Sequence, residues 1–180
     1  MEMQLEYARE VLRFRKALNL TSISDEQVFM TRFVLPSVAL VEWMPQKGRL
    51  LDVGSGMGVP GIPLLIARPS LHGVLVERRK KRAEFLRHVV RKLGLSAEVH
   101  DADINDLPDL GVDIVVARAV TRADDLLAMC RRHTCVGGTA VLPVPRDSVS
   151  AITEGWHLES ESHVDAVEAQ AVHCYRRDER

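Results

Sequence analysis

The sequence predicts an α/β fold: an open, mostly parallel sheet with helices, closed by a terminal antiparallel strand and preceded by N-terminal helices. Three observations carry this reading. After Pro45, short apolar runs alternate with amphipathic stretches, the order of strand–helix units joined by right-handed crossovers. The run Val112 to Ala117 is apolar but for Asp113, as in the middle of a parallel sheet buried on both faces. The first run, Arg49 to Val53, ends in Gly54-Ser55-Gly56-Met57-Gly58, a turn placed where open α/β sheets bind ligands.

The elements follow in order. Leu5, Ala8, Val11, Leu12 and Leu18 recur near a 3.6-residue period and predict a first helix. Asn19-Leu20-Thr21-Ser22 ends it. A second helical stretch runs from about Asp25 through Val28, Phe29, Phe33 and Val34 towards Trp43, and Pro36 should kink or divide it. Arg49 to Val53 is the first strand, and a helix follows from about Pro60 to Ala67, proline being tolerated in the first turn. Val74 to Glu77 is the second strand. Ala83, Leu86, Val89, Val90 and Leu93 mark one face of the next helix, and Gly94 is its left-handed cap. Strands at Ala97 to His100, Val112 to Ala117 and Thr139 to Val144 bracket a helix over Arg122 to His133. Trp156 to Val164 and Ala171 to Arg176 complete the chain as an antiparallel pair. Residues 1–45 read as a helical cap and 46–180 as the sheet domain.

Composition bounds the function. The chain has 180 residues, 46% apolar and 27% charged, which excludes wholesale disorder. Twenty-four basic and 25 acidic residues leave a net charge of -1, unlike a uniformly basic nucleic-acid binder. The charges are segregated, however. Arg78, Arg79, Lys80, Lys81, Arg82, Arg87, Arg91 and Lys92 face only Glu84, whereas Glu98, Asp101, Asp103, Asp106, Asp109 and Asp113 form an acidic stretch. Five cations at a helix start oppose the helix dipole, so stability alone does not account for them. Contact with RNA phosphates and a plain solvated face are the two readings of Arg78 to Arg82. Cys130, Cys135 and Cys174 lack metal-ligand spacing and read as reduced thiols, so no metal site is expected. The charged N-terminus and the absence of a long apolar run predict a soluble cytoplasmic protein, taken to be a monomer.

The glycine turn carries the chemistry. A dinucleotide fingerprint would need glycine at position 59, which is Val59. The turn therefore suits a nucleoside without a pyrophosphate. Glu77, at the end of the second strand, can accept from both hydroxyls of a ribose. Together these form the pattern of class I, Rossmann-like S-adenosylmethionine (SAM) methyltransferases. Gly54, Gly56, Gly58 and Val59 would cradle the cofactor. Asp52 would bond backbone N–H groups of the loop. After the third strand, Ile104 would be an apolar wall beside adenine and Asn105 a polar partner. Arg118 ends the fourth strand at the ligand edge, to position substrate, to orient the cofactor or to form a structural ion pair.

Asn19-Leu20-Thr21-Ser22, the stretch Leu51 to Leu64, Lys81-Arg82 with Phe85-Leu86, and Ala117-Arg118-Ala119 resemble the glucose-inhibited division protein B family. The resemblance runs from about Val11 to Leu142. It implies a bacterial methyltransferase acting on guanine N7 of small-subunit ribosomal RNA, with ribosomal RNA or the small subunit as partner. It implies a SAM site at Gly54, Gly56, Val59, Glu77, Ile104, Asn105 and Arg118, with Arg32 and Arg118 positioning substrate. Departures from the family's pattern lie mostly on the substrate side: Phe33 stands for a His, Pro36 for an Asp, and Pro143-Val144 for a Lys-Gly pair. A methyltransferase with another substrate, or an inactive SAM- or RNA-binding module, are the alternatives these departures leave.

Overall fold

The computed structural model describes residues 1–118, 122–163 and 170–179. Helix α1 (Glu2–Leu18) ends at Asn19, whose φ of 49° is left-handed. Its buried stripe is Gln4, Tyr7, Ala8, Glu10 and Val11, whereas Leu5, Leu12 and Leu18 are only partly covered. The buried face is thus rotated from the one the aliphatic residues predict, because the polar ends of Gln4 and Tyr7 find acceptors. Gln4 Nε2 donates to the Pro63 carbonyl at 2.9 Å and the Tyr7 hydroxyl to the Met57 carbonyl at 2.9 Å.

The second helical stretch is divided, as Pro36 requires. Asp25 caps α2 (Glu26–Phe29) by accepting from Val28 N at 2.8 Å. A π-helical turn (Met30–Val34) follows, then α3 (Leu35–Ala39) with Pro36 in its first turn, then a 3-10 turn (Leu40–Trp43).

The sheet begins with β1 (Gly48–Val53) and continues through α4 (Gly61–Ala67), β2 (Leu71–Val76), α5 (Lys80–Leu93), β3 (Ala97–His100), β4 (Val112–Val116), α6 (Ala123–Cys130), β5 (Thr134–Pro145), β6 (Trp156–His163) and β7 (Gln170–Arg177). The strand order is β3-β2-β1-β4-β5-β7-β6. The first five are parallel neighbours, and β7 inserts antiparallel between β5 and β6. Strand β5 starts five residues before the expected Thr139. Gly137 (φ 75°) and Gly138 interrupt its pattern where the pairing with β4 shifts register, which is how glycine at an irregularity hides a strand. Ala119 and Val164, both included in the sequence reading, lie outside the described residues.

Successive residues of the central strands feed two cores. Leu50, Leu75, Ile114 and Val141 pack with α1, the π turn, α4 and α5. Leu51, Val74, Val115 and Ala140 pack with α6, Trp156 and Tyr175 on the other face. The helices of residues 1–45 therefore share one core with the sheet. Helices α1 and α5 run antiparallel, because Glu10 meets His88 and Lys92 at one end while Leu18 and Asn19 meet Arg82 at the other. Burial works to raise the Glu10 carboxyl, but hydrogen bonds from Lys92 and His88 outweigh it and hold its pKa below the ordinary value. Among the described residues no helix is long and apolar enough to cross a membrane.

Candidate active site

A cavity of about 570 Å³ opens at the carboxyl ends of β1, β2, β3 and β4. Strand order reverses at β1, which lies between β2 and β4. This is where an open α/β sheet leaves a crevice.

The glycine turn forms the floor. Ser55 N donates to the Val76 carbonyl at 3.0 Å, latching the turn to the end of β2. Gly56 has φ 58°, and a Cβ there would meet only the Gly54 carbonyl, at 3.7 Å. The space it would fill belongs to the cavity, whose lining includes Gly54 and Gly56. Asp52 braces the turn from below. It is fully buried and its Oδ2 accepts from Gly61 N at 3.1 Å. Burial pushes its carboxyl up to about 7, and the neighbouring Glu77 adds to the shift. Gly61 is required by close approach, since a Cβ would lie 2.5 Å from Asp52 Oδ2 and 2.9 Å from Leu75 Cδ2. The loop-bracing role read for Asp52 from the sequence is the one observed.

Glu77 is 5% exposed and stands in the cavity wall just past β2. Its Oε2 accepts from Gly56 N at 2.9 Å and its Oε1 from Arg79 N at 2.8 Å. Each carboxylate oxygen keeps a further lone pair. Ala102, Asp103, Ile104 and Asn105 form another part of the wall, and Met129 of α6 also lines it. Asp103 Oδ1 accepts from Asn105 N at 3.0 Å and from Asn105 Nδ2 at 2.9 Å, which shapes a short 3-10 turn. Ile104 is buried and supplies the apolar surface. A wall of this kind beside an acid poised for two hydroxyls fits an adenosine.

Residues 1–178 match the family described as GidB, rRNA small subunit methyltransferase G. The chain belongs to that family. Relatives named ribosomal RNA small subunit methyltransferase G include one from Xanthomonas oryzae pv. oryzae, 34% identical over 88% of this chain and 76% of its own length. One from Cereibacter sphaeroides is 35% identical over 90% and 82%, and one from Escherichia coli 31% over 92% and 83%. The fold is shared with a putative methyltransferase, yhhF, from Escherichia coli (TM-score 0.64, 16% identity, 79% of this chain and 86% of that one). It is also shared with P. horikoshii TYW2 in complex with MeSAdo (TM-score 0.63, 14% identity, 82% and 63%). The GidB chain is accordingly a SAM-dependent methyltransferase, and Gly54, Gly56, Glu77, Ile104 and Asn105 line a cavity of suitable chemistry.

Not every residue singled out in the GidB sequence reaches that cavity. Val59 and Arg118 line it, but Gly58 does not. Gly58 is buried, with space for a Cβ closed by Ile62 and Leu86, so it packs the turn against α4 and α5. Arg32 is exposed and outside the lining; it contributes its carbonyl, to Arg118, rather than its side chain. No carboxylate pairs with Arg118 among the described residues, and burial lowers its pKa with Arg32 adding to the effect. The alternative of a structural ion pair is therefore not what the fold builds from these residues.

The basic segment separates into two groups. Arg82 donates through Nε to the Leu18 carbonyl at 3.4 Å and through Nη2 to the Asn19 carbonyl. It ties α1 to α5. Arg87 pairs with Asp101 at 2.6 Å, and Lys92 with Glu10 at 2.8 Å. Arg78, Arg79, Lys80 and Lys81 are exposed and make no ion pair among the described residues. Only Arg78, Arg79 and Arg82 reach the cavity; Lys80 and Lys81 lie beyond its rim.

Leu20, of the Asn19-Leu20-Thr21-Ser22 segment expected to close over the crevice, lines the cavity. Other residues of the GidB site were not expected from the sequence: Phe33, Met57 and Met129 also line it. Arg132 Nη2 donates to the carbonyls of Asn105 (2.8 Å) and Leu107 (2.6 Å), and His133 Nε2 meets the Ile104 carbonyl at 3.1 Å. They hold the 103–107 turn from α6. Burial lowers the His133 pKa, with Arg132 adding to it. The only available signal was the position of this pair at the end of the predicted helix over Arg122 to His133, where the structure has a 3-10 turn after α6.

Proposed function

We propose that this enzyme transfers a methyl group from SAM to guanine N7 of small-subunit ribosomal RNA. The observation that carries the reading is Glu77: a buried carboxylate fixed by two backbone N–H groups, with lone pairs left on both oxygens, in a cavity that Ile104 and Asn105 also line. Membership of the GidB family supports ribosomal RNA as the substrate. The exposed cations Arg78 to Lys81 beside the cavity mouth support a phosphate-bearing partner. The reading takes the enzyme to act as a cytoplasmic monomer.

SAM supplies, when bound, a methyl group already activated on a sulfonium. The chain's own residues then have little proton chemistry to perform. Guanine N7 holds a free lone pair and loses no proton on attack, so no general base is needed. Glu77 and Ile104 would hold the nucleoside end, and the glycine turn would let the backbone approach it. Arg118, across β1, would orient the target base. Alignment of reacting atoms is the main source of acceleration in such a site, and the fixed dipoles of the turn add electrostatic support.

The test is incubation of the purified enzyme with labelled SAM and small-subunit RNA from a strain lacking it. Digestion to nucleosides should give label in 7-methylguanosine. Label in another nucleoside, or none, overturns the reading.

A further inference from the structure

The Arg118 side chain is held by an arrangement that depends on two residues outside the SAM-binding turn. Its guanidinium carbon lies 4.8 Å from the centroid of the Phe33 ring. Its Nη1 and Nη2 both donate to the Arg32 carbonyl at 3.3 Å. In an α-helical register that carbonyl would accept from the N–H at position 36, but Pro36 has none. The Leu35 N–H instead reaches back to Met30 through the π turn, and the Ser37 hydroxyl takes the Phe33 carbonyl at 2.5 Å. Pro36 thus removes the α-helical competitor for the carbonyl at 32, and Arg118 donates to it. Phe33 is itself fixed against Phe29, with ring centroids 5.2 Å apart.

A guanidinium has five N–H donors. Those turned to Arg32 leave others, and Arg118 and Phe33 both line the cavity. A partly desolvated cation with no carboxylate partner among the described residues calls for an acceptor. Guanine carries O6, an acceptor, on the same edge as N7. A donor on O6 would leave the N7 lone pair free to attack.

We propose that Phe33 and Pro36 are positioning residues which fix the Arg118 guanidinium so that its remaining N–H groups meet O6 of the target guanine. This rests on the guanine reading above. The device is a freed backbone carbonyl and an aromatic face, neither of which touches the reacting atoms.

The experiment is single-turnover methyl transfer to small-subunit RNA, with SAM affinity measured separately by calorimetry. Pro36→Ala restores an N–H that competes for the Arg32 carbonyl, and Phe33→Leu removes the ring while keeping an apolar side chain. Each should slow transfer by about tenfold, inside the ~100-fold that a 1 Å misplacement can cost. SAM affinity should not change, and Phe33→Trp, which keeps an aromatic face, should restore most of the rate. In an Arg118→Ala background neither change should slow the reaction further, the non-additivity expected of coupled residues. Losses that multiply in that background, or SAM affinity that falls in step with the rate, overturn the proposal. A wild-type enzyme that methylates no guanine defeats the parent reading instead.

Discussion

Glu77→Gln separates the two tasks assigned to this side chain. Its carboxylate oxygens each accept one backbone N–H, from Gly56 and Arg79, at 5% exposure. Glutamine keeps one oxygen and places an NH₂ group against the other donor. One buried N–H is then unsatisfied, which costs about 1–3 kcal/mol. For a chain of this size each kcal/mol moves the melting temperature by about 2–4 °C, so a fall of roughly 2–12 °C is expected. The ligand effect is distinct. A carboxylate can accept from two ribose hydroxyls, and losing a hydrogen bond to a charged group removes about 1.5–3 kcal/mol. That is about a 10- to 150-fold rise in the SAM Kd. Scanning calorimetry gives the first quantity and titration calorimetry the second. A variant with a lowered Tm but a Kd within twofold of wild type would show that Glu77 only braces the turn, and the cofactor assignment would fail.

Three further predictions follow from the same geometry. Asp52, with its carboxyl raised to about 7 against an ordinary 3.8, binds a proton more tightly folded than unfolded. It therefore makes stability fall as pH rises from about 4 to 7, by at most about 4 kcal/mol; Asp52→Asn should flatten that slope in urea melts, and an unchanged slope refutes the shift. Gly61→Ala drives a Cβ into Asp52 and Leu75 and should destabilise by about 1–3 kcal/mol, read as a lower urea midpoint at constant slope. Replacing Arg78, Arg79 and Lys80 with Glu should weaken RNA binding and reduce its dependence on salt, whereas Arg82→Ala should lower Tm by releasing α1. Equal effects of the two on RNA affinity would show that the division of the basic segment is wrong.

The parallel sheet was legible because its strands are short apolar runs that alternate with helical stretches and end at turn residues. Val112 to Val116 needed no context. Glu77 and the Gly54–Gly56 turn were legible for the same reason: their chemistry is local to the end of a strand. What failed to show was decided across the fold. The inward face of α1 includes Gln4 and Glu10 because their partners are Pro63, His88 and Lys92, far along the chain. Arg82 looked like one of five equivalent cations, and only the proximity of Leu18 and Asn19 sets it apart. Phe33 and Pro36 looked like losses from the family's pattern. Their interplay with Arg118 depends on a carbonyl orientation that no side-chain pattern encodes.

The docking of α1 also bears on how the chain comes to fold. During synthesis the helix is made before its anchors, which stand 50 residues on at Met57, 59 at Pro63, and 78 and 82 at His88 and Lys92. Until Met57 has left the ribosome Tyr7 lacks its acceptor, and until α5 has followed Glu10 lacks the His88 and Lys92 side chains that hold it. A 17-residue helix of this composition is marginal alone in water, so this segment, made before its partners, should be among the last to settle. Contacts of such sequence separation slow folding. The cavity floor, which receives Tyr7 at Met57, would be completed only at that point, so a nascent chain shorter than about Lys92 should bind no nucleoside.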